Sequence, residues 1–397
     1  MPVSHADTDT SVPTNISDAF GIAYTAMPVG HHGSREAVLM HYTVQEGDTL
    51  WLVAQRYRSD YRMIALANSL EEPYDIHPGQ VLHIPRKYRL IGFIADYAST
   101  EGIADALRAP EPFSEVVYSF LHVQPDGGLH PGAQDPAVQL IRARKTRVLA
   151  GVTNLTEARY LRESADAVLA AEDARFALAD KIVEAASSSS LDGVHLDFQN
   201  ISNTHWDLLA MLACSIRAKL ASLSPNYTLS VTVPHDWAEG AFNLKHMAEC
   251  VDLMLLEGLE KGAQDPEGPP TDLAWLHKNI ESALEHVGRS KLAATIGVYG
   301  LDWAAPGEVA YVTSDAAARI ASETGARVVR DADSAAAWFE YGDSRGEQHR
   351  VWYEDLVTFS AKIRALDSLG IRKIALWRLG AVPEAVLEAA SQAWVWG

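Results

Sequence analysis

Leu191-Asp192-Gly193-Val194-His195-Leu196-Asp197-Phe198-Gln199-Asn200 is an apolar run broken by a polar residue at every second position. The two-residue period of a β-strand puts Val194, Leu196 and Phe198 on one face and His195, Asp197 and Gln199 on the other. Polar side chains on an interior-facing strand cost free energy unless they are paired. The pattern therefore signals either a site at the strand's C-terminal end or a buried hydrogen-bonded cluster without a substrate.

Short apolar runs of the same kind recur on both sides of this strand. Upstream lie 89–94, 116–120 and 147–152; downstream lie 228–233, 251–256, 292–298 and 373–377. Helical patterns with Leu and Ala faces separate most of them, as in 173–186 and 205–223. Eight strands buried on both faces, in about three hundred residues, predict a (β/α)₈ barrel. A doubly wound open sheet is the alternative, and it lacks support because no Gly-rich phosphate loop follows the first strand. The segment 309–350 is too long for an ordinary connection. Its helical stretch 314–324, its β-rich Ala337-Trp338-Phe339-Glu340-Tyr341 and its turn Asp343-Ser344-Arg345-Gly346 predict a small inserted α+β subdomain beside the cleft.

The 397 residues suit one large and one small domain, and a 48% hydrophobic fraction supplies a sizeable core. A formal net charge of −19 disfavours a nucleic-acid partner. The longest basic runs, 86–89 and 142–145, read as solvated element ends. No run is apolar enough to span a bilayer. The first forty residues lack a basic segment followed by an apolar one, so a soluble chain without a secretory signal is expected. Cys214 and Cys250 stand far apart in sequence and suggest neither a disulfide framework nor a zinc site. The fifteen histidines, His31 and His32 in the leader among them, show no metal-ligand spacing, and no cofactor is implied.

Residues 1–39, rich in Ser, Thr, Asp, Pro and Gly, predict a flexible leader. The segment 40–86 reads differently. A strand at 40–44 leads to a turn at Glu46-Gly47-Asp48, and Asp48 or Thr49 can cap a helix carrying Leu50, Leu52, Val53 and Tyr57. A second helix runs from Asp60 to Asn68, and Pro78-Gly79-Gln80 turns into a closing strand at 81–85. This β-α-α-β order, with Tyr42-Thr43-Val44-Gln45-Glu46-Gly47-Asp48-Thr49-Leu50, Asn68 and Pro78-Gly79-Gln80-Val81-Leu82-His83-Ile84-Pro85, resembles a LysM module over 41–86. The resemblance implies binding of N-acetylglucosamine-containing glycans, peptidoglycan or chitin. Their groove would lie between the loop of Gly47, Asp48 and Thr49 and the loop leading to Ile76.

The remainder, 88–397, resembles glycoside hydrolase family 18, most closely the cell-wall and spore-lytic enzymes that bear LysM modules. The opening stretch is similar to that family's D-G-x-D-x-D-x-E signature. Thr153-Asn154-Leu155-Thr156, Tyr299-Gly300-Leu301-Asp302-Trp303, Val351-Trp352-Tyr353-Glu354-Asp355 and Ala375-Leu376-Trp377-Arg378-Leu379-Gly380 resemble its further blocks in the same order. The resemblance implies cleavage of β-linked N-acetylhexosamine, in which a glutamate protonates the leaving oxygen and the substrate's acetamide attacks. An aspartate orients that acetamide, an exception to the two-carboxylate scheme.

Carried onto this chain, the pattern puts Asp192 first, His195 in a usual Asp or Asn position, Asp197 at the orienting aspartate and Gln199 at the acid. An amide delivers no proton, so general acid catalysis at that position is lost. The family's tyrosine against the acetamide corresponds to Leu259, while Glu260 and Gly262 still match. Glu257 stands where a methionine is usual and could bring a substitute carboxylate near Asp197; a rim carboxylate paired with an arginine such as Arg378 is the plainer alternative. Trp377 resembles the tryptophan that floors the sugar subsite, and Tyr299, Trp303 and Trp237 are further cleft candidates. The expectation is a glycan-binding protein with a degenerate barrel site, acting at the cell wall or envelope. An active N-acetylglucosaminidase and an assembly scaffold are the alternatives.

Overall fold

A computed structural model describes residues 41–395 except 58, 125, 133–134, 157–158, 239, 241, 260–266, 306–307 and 393. The predicted leader, 1–39, with its three histidines, lies outside the described residues.

The first described unit is a two-stranded antiparallel sheet, β1 (His41–Thr43) against β2 (Val81–His83), with α1 (Leu50–Tyr57) and α2 (Tyr61–Ala67) between them. Its own core gathers Tyr42, Val44, Leu50, Val53, Ile64, Leu82 and Ile84. Thr49, not Asp48, caps α1: its Oγ1 accepts the amide of Leu52 at 3.2 Å. Asp48 closes the preceding turn instead, accepting the Gln45 amide at 2.8 Å and the Tyr42 hydroxyl. Those two donors hold its carboxyl below the usual carboxylate range, the tyrosine contributing more. Asn68 ties the end of α2 to β2, donating to the carbonyls of Ile64 and His83 at 2.7 Å each and accepting from His83 at 2.8 Å. Gly47 and Gly79 take positive φ, which only glycine adopts freely, and so fix the two turns.

The second unit is a closed barrel of eight parallel strands. In chain order they are β3 (Arg89–Ala95), β4 (Glu115–Val123), β5 (Arg147–Thr153), β6 (Gly193–Asp197), β7 (Thr228–Val233), β8 (Leu253–Gly258), β9 (Leu292–Gly297) and, after the insertion, β15 (Lys373–Trp377). Each pairs with its neighbours in sequence order, and β3 closes the ring against both β15 and β4. Ile91, Phe93, Val117, Leu149, Leu253, Leu255, Ala293 and Ala375 fill the barrel interior, a packed core rather than a pore.

The insertion is an antiparallel sheet of β10 (Tyr299–Ala305), β11 (Glu308–Thr313), β12 (Val329–Arg330), β13 (Ala337–Gly342) and β14 (Gln348–Tyr353), with a helix at Ser314–Thr324. It begins earlier than the sequence pattern suggested, because Tyr299–Ala305 pairs with β11 and β14 instead of closing the seventh βα unit.

Two sequence expectations are corrected. Cys214 and Cys250 form a disulfide. They stand on consecutive helices, Trp206–Leu223 and Leu244–Cys250, which pack side by side with Cα atoms 4.4 Å apart. A separation of 36 residues carried no sign of that docking. The basic run 142–145 is not a solvated end: Arg144 donates to the carbonyls of Ala106, Leu107 and Ala109, and Arg142 meets Asp192 at 3.3 Å.

Candidate functional site

The inner face of β6 delivers His195 and Asp197 to the barrel axis, with Gln199 two residues beyond the strand's end; all three are buried. His195 is fully enclosed, with Nδ1 2.9 Å from the Ser230 hydroxyl and Nε2 3.0 Å from the Thr232 hydroxyl, both on β7. Hydroxyls donate or accept, so they satisfy a neutral ring in either tautomer. Burial pushes the imidazole down to about 3, so it stays uncharged. His195 is thus a polar member of the barrel core, below the layer where a ligand would sit.

Gln199 is held from both ends. Asn154, wholly buried after β5, accepts the Gln199 amide N–H and donates to its carbonyl, both at 2.9 Å. The side-chain Nε2 then donates to Asp197 Oδ1 at 3.2 Å and to Glu257 Oε1 at 2.7 Å. An amide nitrogen has two protons, and each is directed to one carboxylate. Glu257 comes from the end of β8, on the same face as Leu253 and Leu255. A small pocket above this constellation is lined by Phe93, Tyr160, Asp197, Thr232, Glu257, Leu259, Thr295 and Trp377. It encloses about 20 Å³, room for about one water molecule.

The profile of glycosyl hydrolases family 18 matches residues 89–381, and that of the LysM domain matches residues 42–85. The chain belongs to glycosyl hydrolases family 18. Among its relatives are a Bacillus subtilis protein bearing the name of a sporulation-specific glycosylase, YdhD, 25% identical over 85% of this chain and 84% of its own, and the cortical fragment-lytic enzyme of Bacillus subtilis, 26% identical over 71% and 68%. The solved spore cortex-lytic enzyme SleL of Bacillus cereus superposes with a TM-score of 0.69 at 20% identity, covering 88% of this chain and 85% of that one. A chitinase of Chromobacterium violaceum gives 0.69 at 20% identity over 77% and 98%.

In this family 18 barrel the predicted residues separate into groups. Asp197, Glu257, Leu259 and Trp377 line one pocket, and Gln199 joins them through its hydrogen bonds to Asp197 and Glu257. Asp192 does not join them. It precedes β6 at the opposite end of the barrel, where it accepts the Val148 amide at 2.9 Å and pairs with Arg142. Its expected catalytic place is corrected by that position: a carboxylate at the N-terminal end of a barrel strand ties strands together rather than reaching a ligand at the mouth.

Tyr299 and Leu301 pack with Leu259 in an apolar cluster that Trp303 and Trp377 flank, so Tyr299 supports the pocket wall and is absent from its lining. Trp237 is buried away from the cleft, donating its indole N–H to Asn279 at 2.6 Å. Arg378 stacks over Tyr97, 5.0 Å from the ring centroid. Glu260 and Gly262 lie outside the described residues. Phe93, Thr232, Thr295 and Tyr160 line the pocket although no motif marked them. For the first three, the signal was strand parity, since each sits at an inward position near the end of its strand.

In the LysM domain, Asp48, Thr49 and Ile76 line one groove with Leu50, Trp51, Tyr61, Pro73, Tyr74 and Asp75, while Gly47 shapes its rim. The groove holds about 350 Å³. The insertion hairpin brings Asp343, Glu347 and His349 within 4.8 Å of one another, a grouping that sequence spacing did not announce. Asp343 there serves the hairpin turn, accepting the amides of Arg345 and Glu347 at 2.8 Å each. Among the described residues no helix is long and apolar enough to cross a membrane.

Proposed function

We propose that this chain binds N-acetylglucosamine-containing glycan of the peptidoglycan or chitin type through its LysM groove, and that its barrel does not hydrolyse it. One observation carries the second half. The residue in the acid position is an amide whose two N–H groups point at Asp197 and Glu257, so it holds two carboxylates and has no proton to give a leaving oxygen. Leu259 in place of the tyrosine supports the same reading, because an aliphatic side chain cannot hydrogen-bond the acetamide oxygen as positive charge develops on the oxazolinium ring. The small pocket volume agrees with it, while the LysM groove is open and wide. The relatives named for cortex lysis motivate peptidoglycan as the first glycan to test. The Cys214–Cys250 disulfide suits an oxidising compartment outside the cytosol.

The test is release of reducing ends from purified peptidoglycan and from chitin oligomers. Turnover near 1 s⁻¹ or faster, an ordinary enzyme rate of roughly that order, would overturn the proposal. A second reading rests on Glu257 lining the same pocket as Asp197. If hydrolysis is found and Glu257→Gln abolishes it, Glu257 is the substitute acid.

A further inference from the structure

Resting on the glycan-binding reading, we infer that the LysM groove selects uncharged N-acetylated strands and discriminates against strands whose sugars carry carboxylates. The groove presents aromatic and apolar surface, from Trp51, Tyr61, Pro73, Tyr74 and Ile76, and Trp51 is 56% exposed. Such surface suits the apolar faces of pyranose rings and gives no advantage to an anion. Among the described residues, the two cations of this domain each have a partner. Arg56 pairs with Asp48 at 3.4 Å. Arg62 lies over the Tyr61 ring at 5.5 Å, and its Nε–H donates to the Tyr61 hydroxyl at 3.1 Å.

The carboxylates are less balanced. Asp75 lines the groove and has neither a hydrogen bond nor an ion pair among the described residues, and Glu71 and Glu72 are exposed on the same loop. Residues 42–85 contain six acidic side chains and three basic ones. A lactyl carboxylate, or the carboxylates of a peptide stem, would enter within one Debye length of this loop, about 8 Å at physiological ionic strength. An uncharged N-acetylglucosamine strand meets no such opposition.

Calorimetry on the full chain tests this with two probes, the N-acetylglucosamine pentamer and a tetrasaccharide alternating N-acetylglucosamine with N-acetylmuramic acid. The pentamer is expected to bind with an affinity that changes less than about twofold between about 10 mM and about 1 M salt, because the Debye length shrinks from about 30 Å to about 3 Å without any ligand charge to screen. The carboxylated probe is expected to bind more weakly at low salt and to recover as salt rises. Exposed Glu71→Gln with Asp75→Asn should narrow the low-salt gap between the two probes about fivefold, from two unit repulsions across about 8 Å of water. Trp51→Ala should weaken both probes, assigning the heat to this groove. The inference is overturned if the carboxylated probe binds as tightly as the pentamer at low salt, or if its deficit responds neither to salt nor to the double substitution. Absence of binding by both probes overturns this inference and the glycan-binding reading together.

Discussion

Gln199→Glu puts a carboxyl back in the acid position, yet the structure predicts a protein that loses stability as pH rises. The amide nitrogen now donates to Asp197 at 3.2 Å and Glu257 at 2.7 Å. An ionised carboxylate in its place would meet two like charges, each repelling by about 5–6 kcal/mol at those distances with an effective dielectric constant near 20. Taking up a proton is cheaper, so the introduced carboxyl keeps one in the folded state well above the ordinary glutamate value of about 4.3.

The folded variant then holds a proton that its unfolded chain releases, and stability relative to the parent must fall with pH. At pH 4 the cost is about 1 kcal/mol, since one O–H replaces two N–H donors. Above about pH 4.3 it grows by about 1.4 kcal/mol per unit, to about 5–6 kcal/mol in total at pH 7.5 if the proton is retained throughout. Urea unfolding of both proteins at pH 4 and pH 7.5 reads the difference directly. A difference independent of pH would refute the reasoning, since it would mean that the introduced group ionises freely or turns away from the two carboxylates. Little hydrolysis should appear in this variant, because Leu259 is unchanged and the pocket is as small as before.

Two further outcomes are expected. Reducing the Cys214–Cys250 disulfide, or replacing both residues by serine, should cost about 3–4 kcal/mol in denaturant unfolding, the loop-closure value for 36 residues; an unchanged midpoint in both would refute a structural staple. The His195 ring stays neutral in the fold, pushed down to about 3 by burial, so its contribution is full above the unfolded value of about 6.5 and is lost as pH falls toward 3. His195→Asn should therefore close the stability gap with the parent by about 2–3 kcal/mol on going from pH 7 to pH 4.5, and a gap constant over that range would count against a neutral buried ring.

Much of this protein was legible in its residues alone. Strand parity is local, so the alternation in 191–200 was enough to put His195, Asp197 and Gln199 on one face, and all three are buried where that face leads. Eight such runs implied a barrel, and the turn and cap residues between Tyr42 and Pro85 implied the order of the small domain. The departures at Gln199 and Leu259 were also visible, because a motif states which chemistry each position needs.

Contacts between segments distant in sequence were not legible, since they are made by packing. Asn154 clamping the backbone of Gln199, Cys214 meeting Cys250 and Tyr299 packing behind Leu259 each require elements to dock at a particular angle. Asp192 and Asp197 shared one motif and parted because a strand rises about 3.3 Å per residue, which carries five residues from one end of a barrel to the other. Only closure of the barrel set Glu257 of β8 beside Gln199 after β6 and joined two carboxylates through one amide nitrogen. The sequence alone determined which residue types stand at the strand ends; the tertiary structure decided which of them meet, because closing the ring brings together side chains that the chain separates by 58 residues.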